Sequence, residues 1–251
     1  MSEPGTGKGT LYLIPVALGG ADARSLLPGA TLDAVHGLRT FIVENAKSAR
    51  SFLKAVNHPC PLQELSFHRL DEHTSEADIE PLVALLLEGE NCGVMSEAGC
   101  PAVADPGAEL VRRAHGANIQ VVPLTGPSAI LLALMASGLN GQHFAFHGYL
   151  PVDKTERAQR LRQLDARAQG ETQIFIETPY RNAAMLRELL DHCRGDTLLC
   201  IAADLTLATE SVATRAISEW KRKPPVLDRR LAVFLLYRDA TPRRKTEPQR
   251  R

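Results

Sequence analysis

The chain has 251 residues, 44% of them apolar and 23% charged, and its 29 basic and 29 acidic side chains leave no formal net charge. That length allows one large domain or two compact ones, each with its own core. The charge balance argues against attraction to nucleic acid or membrane driven by the whole-chain field.

Residues 1–9 contain Gly and Lys and no apolar signal core, and read as a disordered lead-in. Leu11–Ile14, Thr40–Val43, Cys92–Met95 and Ile119–Val122 read as strands. Between them, Ala49, Phe52, Leu53 and Val56 fall at i, i+3, i+4, i+7, one helical stripe. Ser75 to Asp78 fits a capping box, followed by Ile79, Leu82, Val83 and Leu86 as a buried face. A second block starts at Leu124. Its first helix, Ser128–Ser137, is apolar almost all round, which predicts burial between layers. The strands that follow are Phe144–Phe146, Gln173–Ile176, Leu199–Ala202 and Leu231–Leu236, with helices over Lys154–Gln169 and Arg181–Cys193. The closer strand spacing predicts a mixed sheet there, against a largely parallel one in the first block. The basic tail, 239–251, reads as disordered. The expected organisation is an α/β domain over 10–123 and a second over 124–238.

The longest apolar run, Ala129–Ala136, is far short of the ~20 residues a spanning helix needs, so no membrane association is expected. Cys60, Cys92, Cys100, Cys193 and Cys200 form no Cys-x-x-Cys pair, and His68, Glu72 and His73 lack ligand spacing. No metal site is expected, and the thiols read as reduced, in a cytoplasmic protein.

In an α/β sheet, ligands collect beyond the carboxyl ends of the strands. Three segments rich in small residues follow predicted strands: Pro15–Gly20, Ser96–Pro101 running on through Asp105-Pro106-Gly107, and Leu124–Ala129. None is Gly-x-Gly-x-x-Gly or a P-loop, so the dinucleotide and phosphate-cradle readings lose their usual support. On spacing alone each segment is more often a turn than a ligand contact.

The three segments in this order, with Phe146-His147-Gly148-Tyr149-Leu150-Pro151, Ile176-Glu177-Thr178-Pro179-Tyr180-Arg181 and Ala202–Thr206, resemble the tetrapyrrole-methylase superfamily from Gly9 to about Tyr237. Within it they resemble the branch containing the ribosomal-RNA ribose 2'-O-methyltransferases. The resemblance implies two α/β domains with S-adenosylmethionine in the cleft between them, and a homodimer. It places Pro15 in a first cofactor loop, Ala98, Gly99, Cys100 and Val103 in a second, and Ser128 and Ala129 in a third. It sets Ile176, Leu205 and Ala232 around the adenosyl group.

Methyl transfer asks chiefly that acceptor and methyl be held at attack distance. A general base helps where the acceptor must lose a proton early. Glu44 and Glu97 are the candidates, each at the carboxyl end of a predicted strand; a helix-start or turn carboxylate is the alternative for both. Departures from the ribosomal branch cluster nearby. Glu44-Asn45-Ala46-Lys47 stands for Glu-Asp-Thr-Arg, Glu97 for Asp, and Asp204-Leu205-Thr206-Leu207 for Glu-Leu-Thr-Lys. The cofactor site reads as kept and the acceptor site as remodelled. The expected function is therefore an S-adenosylmethionine-dependent methyltransferase with an unidentified acceptor. The alternatives are a ribosomal-RNA ribose 2'-O-methyltransferase and a non-catalytic cofactor-binding module. RNA stays among the candidate partners, and Lys154, Arg157, Arg160, Lys221 and Arg222 are the residues from which a basic face could assemble.

Overall fold

The computed structural model describes residues 7–227 and 229–240, and these divide into two compact units after Ser128. The first unit runs β1 (Thr10–Leu13), α1 (Ala23–Leu26), α2 (Gly29–His36), β2 (Thr40–Val43), α3 (Ala46–Ala55), β3 (Ser66–Arg69), α4 (Glu76–Leu87), β4 (Cys92–Met95), α5 (Ala108–Gly116) and β5 (Gln120–Pro123). Its sheet has the order β3-β2-β4-β1-β5 with every pair parallel. Both faces are covered. Phe41 and Val43 join a core with Ile14, Leu53 and Met95, while Ile42 points into another with Leu86, Val94 and Leu110. This is why β2 and β4 read as continuous apolar runs rather than alternating ones.

The capping box forms: the Asp78 carboxylate accepts from the Ser75 backbone N–H (3.3 Å) and hydroxyl (2.6 Å). The segment 124–128 stays with the first unit. The Leu124 N–H donates to the Leu13 carbonyl (2.9 Å), and the Thr31 hydroxyl to that of Thr125 (2.7 Å).

The second unit runs α6 (Ala129–Ser137), β6 (Phe144–Tyr149), α7 (Lys154–Arg167), β7 (Thr172–Glu177), α8 (Asn182–His192), β8 (Leu198–Ala203), β9 (Ser211–Ala216), α9 (Ile217–Arg222) and β10 (Ala232–Tyr237). The sheet order is β6-β7-β10-β8-β9, with β6 and β7 parallel and the other pairs antiparallel. Phe175 and Phe234 stack at 5.6 Å between ring centroids, in a core with Leu161, Leu189 and Trp220.

Two edge strands, β3 and β9, escape the sequence reading. Their residues, Ser-Phe-His-Arg and Ser-Val-Ala-Thr-Arg-Ala, are partly exposed and polar, as edges are, and carry no apolar run. The expected full burial of α6 is also corrected. It packs on β8, β9 and β10 through Ala133 and Leu134, but Leu131 and Met135 are 52% and 79% exposed. A helix laid on one sheet buries one side, and here the opposite side is apolar as well. The expected lead-in and tail lie outside the described residues except at their inner ends. There Gly9 is buried and its N–H donates to the Leu86 carbonyl at 2.7 Å.

Candidate functional site

In the first unit the three small-residue segments converge at the carboxyl end of the sheet. Val16 and Gly99 exchange backbone hydrogen bonds of 2.8 and 3.2 Å. Gly126 lies against Pro15, whose ring atoms would stand 2.3 Å from any added Cβ. The Cys100 thiol, its pKa raised by burial and so held protonated, donates to the Pro127 carbonyl at 3.6 Å. Pro15 and Gly99 are buried under these contacts, Cys100 and Ser128 are half-buried, and Ala98 and Val103 are exposed.

The second segment has an unusual backbone. Gly99, Ala102, Ala104 and Gly107 all have positive φ, at 69°, 64°, 64° and 132°. For alanine this conformation costs about 1–2 kcal/mol each. Strain of that kind persists where surrounding structure enforces it and gathers at ligand sites.

Both candidate bases lie at this end, with a third carboxylate that the sequence reading passed over as part of an Asp-Pro-Gly turn. Glu44 directly follows β2 and is half-buried. Its pKa is raised first by burial and then by the Asp105 and Glu97 carboxylates, and the backbone N–H of Glu97 donates to it. Asp105 is raised by burial and by Glu97, partly offset by a hydrogen bond from Ser96. Glu97 itself is exposed. Three acidic groups with burial and mutual repulsion form a negative locus, which suits a cationic ligand. Asn45 next to it caps α3, its side chain accepting from the Lys47 N–H at 2.9 Å.

In the second unit, Ile176, Leu205 and Ala232 gather at one end of the sheet. Ile176 pairs with Val233, and Ala232 stands opposite both Glu177 and Ala203. Leu205 follows Asp204, which organises this end. Its carboxylate accepts from the Arg230 Nε (2.7 Å), the Thr209 hydroxyl (3.0 Å) and the Leu231 N–H (3.1 Å). Burial alone would raise the Asp204 pKa, but the Arg230 and Thr209 hydrogen bonds outweigh it and hold the group below its ordinary value. Asp204 and Thr206 carry positive φ, 52° and 72°. The left-handed residues therefore recur in the loop beside Leu205. Ala129 opens α6 and is half-buried.

Glu177 and Arg181 form a 2.9 Å ion pair at the start of α8. The basic-face expectation needs correction. Arg157 is buried, paired with Glu188 through bonds of 2.7 and 2.6 Å, because its position on α7 faces α8 rather than solvent. Arg160 donates to His147 Nδ1 at 3.0 Å. The helix carrying Lys221 and Arg222 begins where Ala216 pairs with Leu198, the sheet end opposite Glu177 and Ala203. A surface pocket of 460 Å³ around Asn57, His58 and Cys60 opens at the amino end of the first sheet, where His58 Nε2 lies 3.1 Å from the Leu38 carbonyl just ahead of β2, away from the convergent loops.

A doubly covered parallel sheet with three small-residue loops at its carboxyl end in the first unit, and a mixed sheet in the second, define an α/β protein with a candidate small-ligand site on those loops. The tetrapyrrole (corrin/porphyrin) methylase family matches residues 16–220, and the chain belongs to it. It is an S-adenosylmethionine-dependent methyltransferase. The chain is 35% identical over 211 residues to ribosomal RNA small subunit methyltransferase I of Streptococcus pyogenes serotype M6, covering 84% of this chain and 70% of that one. It is 31% identical to the Bacillus subtilis protein of the same name, over 84% and 68%. Among solved structures, the methyltransferase CobJ superposes with a TM-score of 0.59 at 19% identity, over 94% and 96% of the two chains. Uroporphyrin-III-C-methyltransferase from Thermus thermophilus gives 0.53 at 18%, over 92% and 94%. These two share the fold.

Proposed function

We propose that the chain transfers a methyl group to a ribose 2'-hydroxyl of small-subunit ribosomal RNA. The observation that carries this is the 35% identity to ribosomal RNA small subunit methyltransferase I across most of both chains. It reverses the order of the readings drawn from sequence, in which an unidentified acceptor came first. Three of the departures behind that order, at Asn45, Glu97 and Asp204, are conservative in their setting. Asn45 is as good a helix cap as Asp. Glu97 keeps a carboxylate beside Glu44, and Asp204 keeps one for Arg230.

In this reading Pro15, Ala98, Gly99, Cys100, Val103, Ser128 and Ala129 contact the cofactor from the three loops, and Ile176, Leu205 and Ala232 from the second unit. The resemblance implies one cofactor molecule shared by both units. When bound, S-adenosylmethionine supplies a methyl group on a sulfonium sulfur, which departs as a neutral thioether. The small loops permit close backbone approach, and the carboxylate locus complements the positive charge. A ribose hydroxyl is a weak nucleophile and must lose its proton as the new bond forms. Glu44 takes that proton, because its raised pKa brings it nearer the working pH of a general base. The Glu97 backbone N–H fixes the carboxylate, and Glu97 with Asp105 sustains its basicity.

The chain acts in the cytoplasm as a homodimer in this reading. A second copy would cover the exposed apolar side of α6, with Phe144, exposed at the start of the Phe144–Leu150 segment, a further apolar contact. The test uses small ribosomal subunits lacking the modification and tritiated cofactor. Stoichiometric label in one ribose is expected. Label absent from RNA but present in protein or small-molecule pools would overturn the acceptor.

A further inference from the structure

Tyr180 and Val152 are 84% and 77% exposed, yet the loops that carry them are firmly held. The strands β6 and β7 are parallel neighbours, with Tyr149 opposite Ile176, so segments 150–153 and 178–181 leave the sheet side by side. Buried Arg157 holds Glu188 with Nε and Nη2 and donates Nη1 to the carbonyls of Pro151 (3.1 Å) and Val152 (2.7 Å). Arg181 donates to the same Pro151 carbonyl at 3.3 Å while paired with Glu177. Two guanidiniums thus meet on one backbone oxygen and tie the loops together. Buried ion pairs contribute little net stability. What this network delivers is a fixed backbone under two exposed apolar side chains.

The position is informative. Ile176, Ala232 and Leu205 sit at this same end, on the central strands and the loop after β8, and the Tyr180 and Val152 loops stand outward toward the β6 edge. Lys154 is exposed beside Val152, close enough to lower the Glu188 pKa, while the Asp153 carboxylate is engaged in capping α7. An aromatic ring, an apolar neighbour and a free ammonium suit a nucleobase and its phosphate. A second copy of the chain finds a more apolar face on α6.

We propose that Tyr180, with Val152 and Lys154, is a stacking platform for the unpaired nucleotides flanking the methylated ribose. This rests on the ribosomal RNA reading above. Stacking of a base on an aromatic ring, removed by alanine, is worth about 5- to 150-fold in affinity.

The experiment compares wild type with Tyr180→Ala, Tyr180→Phe and Tyr180→Trp, because a side chain this exposed can be cut without loss of fold. Methyl transfer to unmodified small subunits gives KM and kcat, and calorimetry gives S-adenosylhomocysteine affinity. Tyr180→Ala is expected to raise KM about 5- to 150-fold, with a smaller change in kcat and no change in S-adenosylhomocysteine affinity. Phe and Trp should restore KM. An unchanged KM in Tyr180→Ala overturns the platform, as does failure of both aromatic variants to restore it. A shift of Tyr180→Ala from dimer to monomer would instead assign the ring to a second copy. Wild type that binds S-adenosylhomocysteine but labels no subunit sinks the acceptor reading and the platform together; wild type that labels subunits while Tyr180→Ala labels them equally well sinks the platform alone.

Discussion

Glu44 sits where its ionised form is disfavoured, by burial and by two neighbouring carboxylates. A carboxyl whose folded pKa is raised contributes stability below its unfolded pKa of about 4.3 and loses that contribution as pH rises through the folded value. At neutral pH the ionised group therefore opposes folding. Glu44→Gln should raise Tm at pH 7, and the gain should vanish below about pH 4. If Glu44 is the base, the same variant should lower kcat about 10²- to 10⁴-fold with S-adenosylhomocysteine affinity little changed. Scanning calorimetry at the two pH values and single-turnover transfer check the two halves; kcat within twofold of wild type would remove Glu44 from the chemistry. Glu44 and Glu97 were legible because each follows a strand end. Asp105 was not, because its approach to Glu44 depends on β2 and β4 being neighbours in the sheet, and chain order cannot show that.

At the scale of elements, apolar runs disclosed the central strands and small residues disclosed the loops between them. What stayed hidden were pairings distant in sequence. Asp204 and Arg230 join across 26 positions with no local pattern, and Arg157 looked like a surface cation because nothing near it in sequence marks Glu188 as its partner. Both pairs yield predictions. Asp204 fixes the loop of Leu205 and the backbone beside Ala232, so Asp204→Asn, which keeps the acceptor for the Leu231 N–H but loses the charge for Arg230, should weaken S-adenosylhomocysteine binding roughly tenfold, an effect of about 1.4 kcal/mol. Calorimetric titration decides, and unchanged affinity would leave the pair a purely structural feature. Arg157→Ala strands a buried Glu188 and should cost about 3 kcal/mol or more in urea unfolding. Arg157→Met with Glu188→Leu should recover most of that loss, since an apolar pair of similar volume replaces the ion pair.

For the whole molecule, the outer side of α6 is the feature least suited to a free surface. The helix is Ala-Ile-Leu-Leu-Ala-Leu-Met-Ala-Ser, and Leu131 and Met135, one turn apart, are among its most exposed side chains. Exposed apolar area of this kind marks an interaction site more often than a solvated helix face. A second copy is the simplest occupant, because a two-fold contact uses the same patch on both chains. Each half of a stable interface buries about 800 Å², so α6 would form the centre of the contact and neighbouring elements its rim. Sedimentation equilibrium at micromolar concentration is expected to give twice the 27.3 kDa chain mass. Met135→Glu would place two carboxylates in that contact without disturbing the core, since Met135 is 79% exposed and touches little of its own unit. The variant should keep the wild-type circular dichroism and sediment at the mass of one chain. A wild type that is monomeric at this concentration would leave the apolar side of α6 without the partner assigned to it. A dimeric Met135→Glu would move the interface elsewhere, with exposed Phe144 next in line for the same charge substitution.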